Sequence, residues 1–116
     1  MSYKNSEIYR QAFELAVEVE SACRTFPRHE QFALAQQLRN ASRSIGANYV
    51  EGYIRQNLLP ADHRRFLIYS QGSCDETRYW VDLGKELSLI TQEVHQRLVT
   101  LCDSLTHMLV PIVRRR

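Results

Sequence analysis

Apolar residues recur at alternating steps of three and four in four successive stretches of this 116-residue chain, a period that admits little besides α-helices. The clearest stripe is the last, Val94, Leu98, Leu101, Leu105, Met108 and Ile112. The first reads Ile8, Ala12, Leu15, Ala16, Val19 and Ala22, opened by Ser6 as a cap and closed at Phe26-Pro27, because a residue before Pro is pushed out of the α region. In the second, Leu34, Leu38, Ala41, Ile45, Asn48 and Gly52 form the seam; in the third, Phe66, Ser70, Ser73, Thr77, Trp80, Leu83 and Leu87 follow the turn Asn57-Leu58-Leu59-Pro60. The periods predict helices over 7–25, 28–56, 61–89 and 92–113, the last capped by Thr91. Pro111 removes the N–H that would reach the carbonyl of His107, so a distorted final turn and a frayed Arg tail are expected.

Connections this short leave neighbouring helices to pack antiparallel, with crossing angles of about 20°. The expected fold is all-α, one antiparallel up-down four-helix bundle filling a single domain. Only four Gly and three Pro are present, too few for a strand-and-turn architecture. Ala41, Gly46, Ala47 and Gly52 make the second helix intrinsically weak, since each Gly costs about 1 kcal/mol relative to Ala; their expected use is to let a neighbouring backbone come close.

One core cannot absorb every apolar residue. Phe32, Val50 and Ile54 fall on a second face of the second helix, with Tyr49 and Tyr53 between the faces, and the runs Phe66-Leu67-Ile68-Tyr69 and Tyr79-Trp80-Val81 point several ways at once. Single exposed apolar residues are ordinary, but together they point to a subunit interface made by Phe32, Tyr49, Val50, Tyr53, Ile54, Leu67, Ile68 and Tyr79 of a homo-oligomer.

Chemistry that would define an enzyme has no signature here. No Glu-x-x-His pair supplies metal ligands one turn apart, and Gly46 and Gly52 lie inside a helical pattern rather than in a phosphate-binding loop. Asp103 and His107 make a lone i,i+4 pair, read as a surface hydrogen bond. Cys23, Cys74 and Cys102 fit neither a disulfide framework nor a metal knuckle and are expected as small buried residues. The reading is therefore of a non-enzymatic protein with no catalytic residue, cofactor or metal. No signal peptide or membrane-length apolar run is visible, which predicts a cytoplasmic location.

Charge supplies the positive signal. The net +2 conceals a net +3 over residues 28–65, −3 over 66–113 and +3 at Arg114 to Arg116, and thirteen Arg stand against two Lys. Arg28, Arg39 and Arg43 are expected on one face of the second helix with Phe32 among them, and Arg64 and Arg65 near Arg55. Arg binds phosphate with a planar fork and stacks on bases, so Arg28, Arg39, Arg43, Arg55, Arg64, Arg65, Arg114, Arg115 and Arg116 are candidates for contact with RNA or DNA backbone. Such a face serves solubility equally well. A protein-protein adaptor whose Arg residues only solubilise it is the alternative.

The segments Phe26-Pro27-Arg28-His29-Glu30, Gln37-Leu38-Arg39-Asn40-Ala41, Ser44 to Gly52, Phe66-Leu67 and Gly72-Ser73-Cys74-Asp75-Glu76 resemble the bacterial four-helix bundle proteins encoded within intervening sequences of large-subunit ribosomal RNA genes. The accessory variability determinants of diversity-generating retroelements look like relatives of that group. The resemblance spans nearly the whole chain, and it departs at Gly46, where the family tends to have Pro, and at Tyr49-Val50, where Ile-Ala is more usual. It implies a homopentamer around a central channel and, for the retroelement relatives, binding of nucleic acid and a reverse transcriptase. Ser44, Asn48, Glu51, Gly52, Gly72, Ser73 and Glu76 match its motif and are read as structural, with Ser73 or Arg78 as the expected partners of Asn48 and Glu51.

Overall fold

The structure, a computed structural model, describes residues 2–114. Its helices are α1 (Glu7–Cys23), α2 (Leu34–Arg55), α3 (Pro60–Glu86) and α4 (Gln92–Arg114), with short 3-10 turns at Tyr3–Asn5 and Arg28–Glu30; among the described residues there is no strand.

Each boundary has a local cause. The Ser6 hydroxyl accepts from the N–H groups of Ile8 and Tyr9, with Glu7 in the first turn, so two N–H groups that the helix leaves unpaired are satisfied. At the other end of α1 the Gln31 amide donates to the carbonyls of Cys23 and Phe26 at 2.8 and 3.0 Å. That use of Gln31 corrects the expected second helix: residues 28–33 are not part of it, and α2 opens only at Leu34, whose N–H is met by the Glu30 carboxylate. Pro60 occupies the first position of α3, where its missing N–H costs nothing. α3 stops at Glu86 rather than Leu89, because Ser88 enters the left-handed region at φ 62° and the N–H groups of Leu89 and Ile90 fold back onto the Gly84 carbonyl. Thr91 caps α4 by accepting from Val94. α4 continues through Pro111 to Arg114, so the expected distortion does not end the helix there; Arg115 and Arg116 lie outside the described residues.

Packing is principally between α1 and α2, α2 and α3, α3 and α4, and α4 and α1, which closes the ring of four into one compact domain of 45 × 23 × 22 Å. The seam of α1 is Ile8, Ala12, Leu15, Val19 and Ala22, and the fully buried Leu38 and Ile45 of α2 and Leu98, Leu105 and Leu109 of α4 meet it in the core. α3 keeps Ser70 and Thr77 in its expected seam but shifts by one residue elsewhere, burying Leu67, Cys74, Val81 and Gly84 in place of Phe66, Ser73, Trp80 and Leu83. Its buried stripe is Leu67, Ser70, Cys74, Thr77, Val81 and Gly84, while Leu87 is exposed. The polar members of that stripe are satisfied within the chain: Ser70 donates to the Ile45 carbonyl at 2.7 Å and Thr77 to the Ser73 carbonyl at 2.8 Å. The same shift moves Tyr49, not Asn48, into the seam of α2; Asn48 donates to the Ser44 carbonyl, and Glu51 pairs with Arg55 rather than with Ser73 or Arg78.

All three cysteines are buried thiols. Burial pushes Cys23 up to about 11, and its thiol donates to the Ala35 carbonyl. A hydrogen bond with Cys74, reinforced by burial, raises Cys102 as well.

α2 and α3 approach each other closely at Gly52. A Cβ there would lie 3.2 Å from the His63 carbonyl oxygen and 3.3 Å from Phe66 Cβ, atoms fixed by the backbone of α3. Gly72, on the exposed side of α3, has nothing within 4 Å. Ala is about 1 kcal/mol better than Gly in a helix. Gly72→Ala should therefore raise stability by up to about 1 kcal/mol, whereas Gly52→Ala should lower it by about 1–2 kcal/mol despite the same propensity gain. Urea denaturation of both variants checks the pair.

Candidate nucleic-acid interface

The seven candidate arginines among the described residues separate into two groups. Between Arg39 and Arg55 the helix rises by about 24 Å, so the first half of the set and the second occupy opposite ends of α2. At the first end Arg28 sits exposed in the 3-10 turn ahead of α2, and Phe32 is also outside the helix, which corrects the expected face containing Arg28, Phe32, Arg39 and Arg43.

Arg39 and Arg43 are committed to Glu20 of α1. The Arg39 guanidinium reaches Glu20 through Nε at 2.8 Å and a second nitrogen at 3.3 Å, Arg43 adds a contact at 3.1 Å and Arg24 one at 3.0 Å. Gln31 accepts a further Arg39 N–H at 3.0 Å, tying the α1 cap to the same cluster. These bonds, that from Arg39 foremost, hold the Glu20 carboxyl down to about 2 from an ordinary 4.5. Arg39 thus works mainly as an internal tie between α1 and α2. Two other ion pairs, Arg97 with Glu18 and Arg78 with Asp103, and a hydrogen bond between His95 and Asp82 lace this half of the bundle. Asp103 therefore serves Arg78 on α3 rather than His107 on its own helix.

The second end gathers all four helices: the start of α1, the end of α2, the start of α3 and the end of α4 supply Ile8, Tyr53, Leu67 and Ile112 to one cavity. Here Lys4, Arg10, Arg55, Arg64, Arg65 and Arg114 outnumber Glu7, Glu51 and Asp62. Arg55 pairs with Glu51 and also donates to its carbonyl at 2.9 Å, and Arg65 pairs with Asp62 at 3.1 Å. The guanidinium carbons of Arg55 and Arg65 lie 4.9 and 5.1 Å from the centroid of the Phe66 ring, and that ring meets Tyr69 edge to face. A guanidinium carries five N–H donors, so one or two such contacts leave others for an external acceptor. Arg64 lines the cavity, and its Nε is buried without a hydrogen-bond partner.

The expected interface is also reapportioned. Tyr49 and Leu67 belong to the core, at 7% and 3% exposed, because the seams of α2 and α3 run through them; the Tyr49 hydroxyl is 2.7 Å from Ser6. Tyr53 is half-buried. Phe32, Ile54, Ile68 and Tyr79 are exposed, and Val50 lines a groove between α1 and α2 floored by Ala12, Ala16, Gly46 and Ala47. Beside that groove stand Phe13 and Val17, both more than half exposed, which the sequence reading missed. Their signal is an i,i+4 apolar pair out of phase with the α1 seam.

Among the described residues no three His, Cys, Asp or Glu side chains gather to hold a metal ion, and no helix is long and apolar enough to cross a membrane.

The Glu20 cluster has a pH signature. Because the folded value lies below the unfolded one, its contribution is present in full above about 4.5 and is lost as the pH falls toward and through about 2. Glu20→Gln should cost about 1–2 kcal/mol at pH 7, less than a fully buried charged pair since both side chains are about a quarter exposed. The difference from the parent should shrink as the pH drops below 4.5, which thermal melts from pH 7 to pH 2 measure.

Compared with known proteins, residues 4–111 match the sequence profile of the 23S rRNA-intervening sequence protein family. The structure is similar to that of a protein with unknown function from the S23 ribosomal protein family, from Bacteroides thetaiotaomicron VPI-5482, with a TM-score of 0.82 over 91% of this chain and 97% of that one. Their sequences are 23% identical, so this likeness speaks to the fold alone. No curated protein matches the chain.

Proposed function

The chain belongs to the 23S rRNA-intervening sequence protein family, and on that premise we propose that it is a non-enzymatic RNA-associated protein whose contact surface is the basic end of the bundle. In this reading the helices alternate in direction as an antiparallel up-down bundle, which is what collects Arg55, Arg64, Arg65 and Arg114 at one end. The observation that carries the proposal is the imbalance there: cationic side chains exceed carboxylates, and Arg55 and Arg65 are presented on an aromatic cluster. Such a surface recognises phosphate and stacked bases together. Arg39 and Arg43 take a lesser part, since both are tied to Glu20, and Arg28 stands in the 3-10 turn ahead of α2, away from the basic end.

The functional unit in this reading is a homo-oligomer, a ring of five as the resemblance implies, with the α1–α2 groove and the exposed Phe13 and Val17 as contact surface. Several copies would add their basic ends into a stronger field than one bundle provides. Of the two contexts the resemblance brings, ribosomal RNA is the one named by the family match; service beside a reverse transcriptase, with DNA as the nucleic acid, is the other. A pure protein adaptor remains the alternative, and it is separable by salt.

Affinity for a structured RNA hairpin should fall steeply and log-linearly as salt rises. Arg64→Glu combined with Arg65→Glu should weaken binding at least about tenfold and flatten the slope, while Arg28→Glu should change it less than about threefold. No binding near 50 mM salt, or salt-independent affinity, would remove the RNA reading. Light scattering on a sizing column should return an oligomer that Phe13→Asp dissociates; a monomer at micromolar concentration would defeat the ring.

A further inference from the structure

The basic end holds a cavity that backbone electrostatics leaves unused. Its volume is about 660 Å³, within the range of small-molecule sites. The inner wall is apolar, with Leu67 and Ile112 among its residues, and the remaining lining includes Tyr53, Gln56, Asn57, His63 and Arg64. Among the described residues none that lines the cavity is a carboxylate, which disfavours a cationic guest.

Two features of the polar wall call for an anionic partner. The Nε of Arg64 is buried and lacks an acceptor, which is rare for so strong a donor unless a ligand provides one. The first turn of α3 opens at the same cavity, at Pro60, and no side chain caps it, since Leu59 holds the N-cap position. His63 Nδ1 lies 2.8 Å from the Gly52 carbonyl oxygen, which can only accept, so the proton sits on Nδ1 and Nε2 is the ring's remaining polar atom. The amides of Gln56 and Asn57 supply both donors and acceptors beside an aromatic wall, the combination that reads the edge of an unstacked base.

We propose that this cavity is a pocket for one nucleotide unit, with the phosphate at Arg64 and the α3 N-terminus and the base against Tyr53 with its edge toward Gln56 and Asn57. The inference rests on the RNA reading, which it deepens: the protein would prefer RNA that offers an unpaired nucleotide over a continuous duplex. The same chemistry could come from a free nucleoside monophosphate, so the test includes both sources.

Three probes are titrated into the full chain: a hairpin with 2-aminopurine as an unpaired loop residue, a fully paired duplex of equal length and charge, and 2-aminopurine ribonucleoside monophosphate. The hairpin is expected to bind roughly tenfold tighter than the duplex, with its fluorescence quenched on binding. Gln56→Leu and Tyr53→Leu should each reduce that preference to about twofold or less while duplex affinity stays within about twofold of the parent. Gln56 is exposed, so its variant keeps the test valid if Tyr53→Leu fails to fold. Hairpin and duplex binding equally, with unchanged fluorescence, overturns the pocket and leaves the electrostatic reading standing. Quenching of the monophosphate alone, without RNA binding, supports the pocket and overturns the RNA reading. Silence from all three probes overturns both.

Discussion

The close approach of α2 and α3 at Gly52 organises the rest of the molecule. A side chain at that position would press on the His63 carbonyl, so the missing Cβ sets how near the two helices come and where along α3 the contact falls. From that point outward Ser70 reaches the Ile45 carbonyl, Gly84 admits Ile90 and Leu34, and the one-residue phase of α3 follows. Moving the seam by one position places Leu67 and Val81 inside, and leaves Ile68 and Tyr79 facing solvent. Phe66 then stands at the edge of the core, where Arg55 and Arg65 both approach its ring.

The two ends of the bundle use arginine differently, and whether the paired carboxylate lies on another helix or on the same one accounts for the difference. Around Glu20 three guanidinium groups share one carboxylate, and the bonds are spent joining α1 to α2 and bracing the turn between them. Toward the α2–α3 turn, by contrast, Arg55 and Arg65 pair with carboxylates of their own helices, Glu51 and Asp62, and both also rest on the Phe66 ring. An aromatic face holds a guanidinium in position without neutralising it. The first end therefore serves the fold, and the second retains charge that an external anion can use. The cavity beside Arg64 lies at that second end, which gives the surface a concave feature as well as a field.

Much of this was legible from residue order. The α1 stripe from Ile8 to Ala22 was read in its true phase because its run of apolar positions outweighs the single out-of-phase pair Phe13 and Val17. Ser6, Thr91 and Pro60 were readable because capping and first-turn chemistry depend on a few adjacent residues. The buried thiols followed from their number and spacing. α3 resisted because Phe66 to Tyr69 and Tyr79 to Val81 present two adjacent stripes of similar apolarity that share Ser70 and Thr77. Helical period alone cannot rank those stripes. The stretch from Arg28 to Ala33 resisted for another reason: Gln31 and Glu30 are good helix formers, but their side chains are consumed in capping α1 and α2, an arrangement visible only once both helix ends are in place.

What the order of residues determined by itself was the set of helices, because backbone hydrogen bonds and the 3.6-residue period act over a few neighbouring positions. Which arginines remain available to a partner was decided only in three dimensions. Arg39 and Arg55 look equivalent along the chain, yet one faces Glu20 of another helix across nineteen positions and the other pairs with Glu51 one turn back and rests on Phe66 of the next helix. Charge is a property of each residue, but its neutralisation depends on which groups folding brings within hydrogen-bonding distance, and that is set by the packing of α2 against α1 and α3.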